Sequence, residues 1–560
     1  MKTLYFDIET EGLNPFEAPV VTAQVLNGKA HIFQGEEIAG LKPVLESSLI
    51  VGHNLKFETK FLKHHYGINL NHVYDTWLAE IIISGGLKAG RKGTRLQDLA
   101  KKYCNIEMDK TEQTTFRRGQ PLTPEQIKYA ALDVQVLPEI YRAQKEQIKA
   151  LNLEDTVNIE MSALPGVAWL ELSGMPTDQE QLNSLKVKAA EKKQKAEKEL
   201  FDILKEGNKE AQRTIAGNRV FEINLNSPGQ LKQALNNIGI ACGSTSESEL
   251  KKFTHPVIDL ILEYKESEKL LNTFIDKQAE YIDRTTGRIH ANFKQIGAHS
   301  GRFTCNKPNL QQQPNNAEWR AIYRAGPGNK IITADYSQIE LRILAQVSGD
   351  CAFIEAYRKG QDLHSLTASK IFNKPLEEVT KQERQVAKTV NFGTVYGIGG
   401  KGLKSNLEQA GIKVTEDEAR QFIRGFYEGY PGVAEYLRNA QREGLRYFSI
   451  RNKANRYIKF DAPTDEKQEG YIKRQCQNMP IQSLCADMIK ISIGSIYRRL
   501  EPEGVRFINC VHDELVFECS EDQACRVAKT VKEEMERAGR LYLDMLPVLA
   551  EVSICDSWSK

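Results

Sequence analysis

The sequence has no run of 18 or more apolar residues, so it offers no membrane-spanning helix. Its start, MKTLYFDIET, lacks the apolar stretch and small-residue cleavage site of a secretory leader. Cysteine is sparse, ten in 560 residues, and none forms a C-x-x-C pair. That argues against a zinc ribbon, a thioredoxin-like motif and a secreted disulfide scaffold, and a reducing cytoplasm is the expected setting. An excess of one charge is also missing. Lys and Arg number 76 against 74 Asp and Glu, a net +2, so any surface for a polyanion has to be local. No internal repeat or low-complexity tract occurs.

What is present is a globular composition, 41% apolar and 27% charged, in a length that suits about three or four domains. The first 150 residues read as α/β. Met1–Ile8 and Ala30–Phe33 read as strands, and Ser48–Gly52 is a short apolar run. Helical patterns follow at Lys56–His65, Trp77–Ile83, Leu96–Tyr103 and Pro124–Ile148. A helix over Asn152–Gly174 leads into a polar, largely helical stretch from Thr177 to Arg288. Its lysines, among them Lys186, Lys188, Lys192, Lys193, Lys195 and Lys198, read as a solvated face. Strands return at Lys330–Ala334 and at Val505–Val511 and Glu514–Cys519. The last two are separated only by His512 and Asp513, a hairpin. Phe353–Tyr447 between them is mainly helical.

Two sets of residues carry chemistry. Asp7 and Glu9 lie two apart on the first strand, so both carboxylates project to one side. Glu58 follows His-Asn-Leu-Lys-Phe, and Asp133 lies four residues after Tyr129 on one helix face. Gathering four carboxylates is costly unless cations neutralise them. Two Mg²⁺ ions about 4 Å apart would do so and would clamp a phosphodiester for attack by water, with Tyr129 placed to orient that water. Phe6–Thr10, Asn54–Glu58 and Tyr129-x-x-x-Asp133 resemble the three motifs of the DnaQ-like 3′–5′ exonucleases, in the subclass with a tyrosine in the third motif. The chain departs from that family at Glu58, where the resemblance calls for aspartate, and an attenuated exonuclease is expected.

In the second set, Asp335 ends a strand and Asp513 sits at the hairpin tip, where a side chain is expected to point outward. The two can meet if their strands share a sheet, which would suit a second two-metal site. Between them Arg384, Lys388, Phe392 and Tyr396 recur every four residues as one slowly turning stripe. Two cations and two aromatics on one face suit a triphosphate and a base.

These motifs resemble those of family A DNA polymerases, over essentially the whole chain. Further matches are Ser-Gly-Arg302, Asn309 and Gln311, His364 in Asp-Leu-His-Ser, and Arg474-x-x-x-Asn478-x-Pro-x-Gln482. The resemblance implies that Asp335 and Asp513 bind two Mg²⁺ ions, with Glu514 beside them. It implies that Arg384, Lys388 and His364 hold the triphosphate, and that Phe392, Tyr396 and Gln338 serve the nucleotide. Lys388 is the candidate to protonate pyrophosphate. Glu340 is the steric gate beneath the sugar. Arg302, Asn309, Gln311, Arg474, Asn478, Gln482 and His512 are assigned to primer-template DNA.

The fold class implied is α/β and α+β multidomain: a ribonuclease H-like exonuclease domain over 1–150, then a right-hand polymerase domain over 151–560. A thumb is expected at about 178–288, a palm at about 289–350 and 470–560, and fingers at about 351–469. The expected partners are primer-template DNA and dNTPs, with a helicase, primase or processivity factor in addition; no membrane is involved and a monomer is expected. Because the first motif begins at residue 6, no 5′-nuclease domain is expected. That leans toward a phage or organellar replicase, acting in the cytoplasm or in an organelle. Two other readings compete. A ribonuclease D-like exonuclease explains residues 1–150 but leaves Asp335, the stripe and Asp513 idle. A silent primer-template binding subunit leaves both sets idle. Gly397–Gly402 formally fits G-x-G-x-x-G but follows a helix, and reads as a helix stop; His64, His65 and His72 lack metal-site spacing.

Overall fold

The computed structural model describes residues 1–86, 93–208, 212–215, 218–221 and 223–558. Strand β1 (Thr3–Thr10) turns Leu4, Phe6 and Ile8 into the core, which leaves Asp7 and Glu9 on the opposite face. Antiparallel to it run β2 (Val20–Asn27) and then β3 (Lys29–Gln34). On its other side lie, in parallel, β4 (Leu49–Gly52) and β5 (His72–Asp75). The sequence reading passed over β2, whose first six residues are all buried and so show no alternation.

Helix α1 (Lys56–Tyr66) follows Asn54, which takes a left-handed φ of 63°. Asp75 caps helix α2 (Thr76–Ile83), accepting from the backbone N–H groups of Trp77 at 2.8 Å and Leu78 at 3.2 Å. The expected helix over Pro124–Ile148 is two, α3 (Pro124–Gln135) and α4 (Leu137–Ala150). Pro138 has no N–H for the carbonyl four residues back, and the helix restarts around it. Helix α5 (Glu154–Ser173) is buried on nearly every side. Its Val157, Met161 and Leu164 share one core with Leu4, Phe6 and Ile8 of β1 and with Ile296.

Further along, β6 (Asn292–Lys294) pairs with β7 (Thr304–Asn306). A four-stranded antiparallel sheet is then built from β8 (Asn329–Tyr336), β9 (Arg506–Val511), β10 (Glu514–Ser520) and β11 (Ala550–Cys555), in the order β9-β10-β8-β11. The edge strand β11, mostly exposed, was not read from the sequence. Between β8 and β9 come α6 (Ile339–Ser348), α7 (Leu363–Phe372), α8 (Lys381–Val395), α9 (Glu416–Gly429), α10 (Pro431–Tyr447) and the long, buried α11 (Glu466–Leu500). All of these elements belong to one compact unit, Met1–Met175 with His290–Gln311 and Ala325–Asp556.

A second unit comprises Pro176–Ile289, Gln312–Arg324 and the C-terminal residues from Ser557. In it a helix over Gln179–Gly207 packs against one over Pro256–Lys269, around Leu200, Leu204, Val257 and Ile261. Lys186 pairs with Asp276 at 2.7 Å, Lys192 with Glu263 at 3.7 Å and Lys193 with Glu268, as a solvated face does. A short strand pair, Gln212–Ile215 with Asn218–Phe221, interrupts the helical pattern. Among the described residues no helix is long and apolar enough to cross a membrane, and all ten cysteines are unpaired thiols.

Candidate active sites

On the polar face of β1, carboxylate oxygens of Asp7, Glu9 and Asp133 lie within 4.8 Å of one another. Strand alternation delivers the first two and α3 delivers the third. Burial, then the charge of Asp133, pushes the Asp7 carboxyl up to about 8. Burial and both neighbours push Glu9 up to about 9. Gln24 Nε2 donates to Asp7 Oδ2 at 3.2 Å. Glu58, on α1, is the fourth carboxylate of the set, yet it stands beside the trio rather than within it. It is buried, and burial followed by the charge of Asp7 raises its carboxyl well above the usual range. Its Oε2 finds no hydrogen-bond partner among the described residues.

A residue with no motif signal completes this site. Lys110, in the segment ahead of α3, donates from Nζ to the Tyr129 hydroxyl at 2.9 Å and to Asp133 at 3.0 and 3.3 Å. It also lies 4.7 Å from the centre of the Tyr129 ring. The tyrosine expected to orient water is therefore engaged by an ammonium. Nothing in Met-Asp-Lys-Thr marks this lysine in the sequence.

Two more lysines, Lys56 and Lys60, flank Glu58 on α1. Lys56 Nζ lies 2.6 Å from Glu171 Oε1, 3.1 Å from Asn292 Oδ1 and 2.8 Å from the Phe293 carbonyl. Lys60 Nζ lies 2.7 Å from Glu171 Oε2. The Phe293 N–H donates to Glu171 Oε1 at 2.8 Å. Burial works to raise the Glu171 carboxyl, but the two lysines hold it below its usual range. Helix α1 is thus tied to α5 and β6.

At the end of the second sheet Asp335 of β8 is paired in register with Glu514 of β10, and Asp513 immediately precedes that pair. The hairpin turns at His512, with φ 55°. Asp513 is half-buried rather than outward-pointing as expected. Burial, then the charge of Asp335, raises its carboxyl to about 7. Burial, then the charges of Asp513 and Glu340, raises the thiol of the buried Cys485 on α11 well above its usual range.

Helix α8 carries the stripe. Arg384 grips Asp362, the N-cap of α7, through Nε at 2.6 Å and Nη2 at 3.2 Å. Lys388 has no ion-pair partner among the described residues. Asn391 Nδ2 donates to His364 Nδ1 at 2.9 Å, and the His364 ring lies 5.8 Å from Phe392. Burial, then the charges of Arg384 and Lys388, lowers His364 to about 4. Phe392, Tyr396, Gly397 and Arg474 line a cavity of about 680 Å³.

Glu340, on the first turn of α6, accepts from the Tyr396 hydroxyl at 2.5 Å on one oxygen and pairs with Arg302 on the other. The Gln482 side chain lies near the Tyr396 hydroxyl. Gln338, in a left-handed conformation ahead of α6, accepts from the Tyr357 hydroxyl at 3.1 Å. Asn309 Oδ1 accepts from the Gln311 N–H at 3.0 Å, and Gln311 Nε2 donates to the Cys510 carbonyl at 3.1 Å, two residues from His512. Asn478 Oδ1 is buried with no hydrogen-bond partner among the described residues.

The stretch Tyr447–Arg456, which had no role in the sequence reading, supplies a buried cation. Arg456 pairs with Glu160 of α5 and with Asp487 of α11, and Lys490 donates to Glu160 at 2.5 Å and to the Gly301 carbonyl at 2.6 Å. This fully buried network holds the backbone next to Arg302.

Compared with known families, residues 188–560 match the model described as DNA polymerase family A, and residues 1–149 match one described as 3′–5′ exonuclease. Over its whole length the chain is 30% identical to DNA polymerase I of Aquifex aeolicus, covering 96% of that protein. It is 32% identical, over 79% of its length, to the thermostable DNA polymerase I of Thermus aquaticus, and 30% identical over 99% to DNA polymerase I of Pseudomonas aeruginosa. The chain spans 52% and 63% of those two relatives. Its fold is similar to a structure titled the POL domain of Pol1 from M. smegmatis in complex with DNA primer-template and dNTP. The TM-score is 0.82 at 24% identity, covering 99% of this chain and 95% of that one.

Proposed function

The chain belongs to DNA polymerase family A and carries a 3′–5′ exonuclease domain, and on that premise we propose that it extends a primer along a template and trims mispaired 3′ ends with two separate carboxylate sites. The observation that carries this reading is the Asp335–Glu514 cross-strand pair at one sheet end, with Asp513 next to it in the turn. The donor set fits Mg²⁺: hard carboxylate oxygens, crowded and destabilised by one another, in both sites. The Glu58 oxygen left without a hydrogen bond fits as well. When bound, a pair of Mg²⁺ ions in each site would activate the attacking oxygen and neutralise charge on the reacting phosphate.

The chain's own residues do the rest. Asp335 and Asp513 hold the metals, with Glu514 beside them. Lys388, Arg384 and His364 meet the triphosphate, Arg384 exchanging Asp362 for phosphate oxygens. Lys388 is the group placed to give a proton to the departing pyrophosphate. Phe392 and Tyr396 stack on the incoming nucleotide, and Gln338 lies at its edge. Glu340, locked by Arg302 and Tyr396, excludes a 2′-hydroxyl. Asn309, Gln311, Arg474, Asn478, Gln482 and His512, with Arg302, receive the primer-template. Residues about 178–288 act as thumb, 351–469 as fingers and the remainder after 289 as palm.

In the exonuclease, Asp7, Glu9, Glu58 and Asp133 hold the metals, and Tyr129 orients water once Lys110 releases it. The longer Glu58 attenuates proofreading. The role is DNA replication by a monomer, with dNTPs and a helicase, primase or processivity factor as partners. The place is the cytoplasm of a bacterial or phage-infected cell, or an organelle.

The test is primer extension with dNTPs and Mg²⁺. Asp335→Ala and Asp513→Ala should each reduce extension by about 10² or more while DNA affinity stays within a few-fold, because these acids hold metal and not DNA. Extension within tenfold of wild type in both variants rejects the assignment.

A further inference from the structure

Helix α8 presents more to α7 than the residues that recur every four. At 100° per residue, Asn391 falls about 20° from Arg384 and about 60° from Lys388, on the same side of the helix. From that side Arg384 reaches Asp362, the N-cap of α7, and Asn391 reaches His364 on the first turn of the same helix. Asn391 is fully buried, and its Nδ2 lies 2.9 Å from His364 Nδ1. The other ring nitrogen, Nε2, hydrogen-bonds nothing among the described residues.

A neutral imidazole has one N–H and one lone pair, so whatever faces Nδ1 decides what Nε2 offers. An amide NH₂ opposite Nδ1 calls for the lone pair there and leaves the proton on Nε2. It also obstructs a second proton, because an Nδ1–H would point at the N–H of the amide. The charges bearing on the ring come from Asp362 in its own cap and from Arg384 and Lys388 on α8; α9, also packed on α7, adds none. Burial lowers the ring furthest, Asp362 works against it, and the two cations bring it to about 4.

The reverse arrangement, with Asn391 Oδ1 accepting from Nδ1–H, would make the same number of bonds. As the amide stands, Oδ1 is the atom left buried without a partner; turned over, Nδ2 would be. What separates the two is a polyanion at the ring. Turned over, the amide would leave a lone pair on Nε2 facing phosphate oxygens. As it stands, Nε2 offers them an N–H, a hydrogen bond to a charged acceptor.

We propose that Asn391 is a positioning residue that fixes His364 in the Nε2–H form, so that the neutral ring donates to the triphosphate across the pH range in which a free imidazole titrates. The proposal rests on the reading that His364 meets the triphosphate. Its new content is the form of the ring and the residue that sets it.

Two measurements on the full chain test it. The first is long-range proton–nitrogen correlation in protein carrying isotope-labelled histidine, with the His364 signal among the ten histidines assigned by its loss in His364→Gln. It should show Nδ1 bare and Nε2 protonated. The second is single-nucleotide extension between about pH 6 and 8, with each KM for dNTP divided by that of His364→Gln, which cancels the titration of the triphosphate itself. Asn391→Leu frees the ring to take either form, and its KM should rise by about threefold to tenfold with kcat within about twofold. Asn391→Asp accepts from Nδ1–H instead. Its ring donates from both nitrogens when charged and loses Nε2–H when neutral, so its KM should climb as pH rises, while the wild-type ratio stays flat. In the His364→Gln background both Asn391 substitutions should change KM by less than about twofold.

A proton on Nδ1 in the wild-type ring overturns the proposal, and it does so even if an Asn391 variant fails to fold. So does a rise in KM that is as large without His364 as with it, or no rise in either variant. Failure of wild type to extend any primer sinks the polymerase reading instead, and the resonance still reports which nitrogen holds the proton.

Discussion

Lys110 Nζ stands 3.0 Å from one oxygen of Asp133 and 3.3 Å from the other, so a carboxylate of the Asp7–Glu9–Asp133 trio already holds a cation. A divalent ion has to compete with that ammonium for the same oxygens. Lys110→Met should therefore lower the Mg²⁺ concentration that half-saturates single-turnover hydrolysis of a 3′-mismatched primer, by about threefold to tenfold. Manganese titration by electron paramagnetic resonance, in an Asp335→Asn background, should show tighter binding. Unchanged metal affinity would mean that the lysine simply leaves when metal arrives.

Glu58 is longer by one methylene, about 1.5 Å, than the aspartate its motif calls for. Catalysis at metal sites falls by up to about a hundredfold for misplacements near 1 Å. Glu58→Asp is thus expected to speed single-strand degradation, and Asp7→Ala to abolish it. An aspartate variant slower than wild type shows a site fitted to the longer side chain.

Glu340 is held from both sides, by Arg302 and by the Tyr396 hydroxyl. Glu340→Ala removes both acceptors and opens space where a 2′-hydroxyl would sit. Relative kcat/KM for ribonucleotides over deoxynucleotides should rise by about tenfold or more. A constant ratio removes Glu340 from sugar selection.

His364 is neutral in the folded protein down to about pH 4, below the about 6.5 of a free imidazole. Between those values the unfolded chain binds the proton and the folded chain does not. Its contribution to stability is therefore complete above about pH 6.5 and is lost as pH falls through the window toward 4. Urea unfolding midpoints should drop over that range, and His364→Gln should flatten the drop. A ring resonance titrating near 6.5 in the native state contradicts this.

The carboxylates were legible because periodicity fixes direction. Two residues apart on a strand means one face, and four apart on a helix means the same, which placed Asp7 with Glu9 and Tyr129 with Asp133. Asp335 and Asp513 were legible as strand-end acids, though not the half-burial of Asp513, which a turn motif alone does not specify. Strand β2 was illegible because burial on both faces removes the alternation. Lys110 reaches its partners from a loop, where spacing carries no information. Arg456, Glu160 and Lys490 meet across separations of 296 and 330 residues, beyond any local pattern.

The lysines beside Glu58 draw a different boundary from the one the motifs draw. A protein cut after residue 150 would keep Asp7, Glu9, Glu58 and Asp133. It would lose Glu171, Asn292 and Phe293, the partners of Lys56 and Lys60. It would also lose Val157, Met161, Leu164 and Ile296 from the core beneath β1. The helix that aims Glu58 would then be anchored at neither lysine, and the sheet that aims Asp7 and Glu9 would present bare hydrocarbon to water. The carboxylates of this set are separable in sequence but not in packing: an excised version that carries α5 still forfeits the strand that follows about 120 residues later.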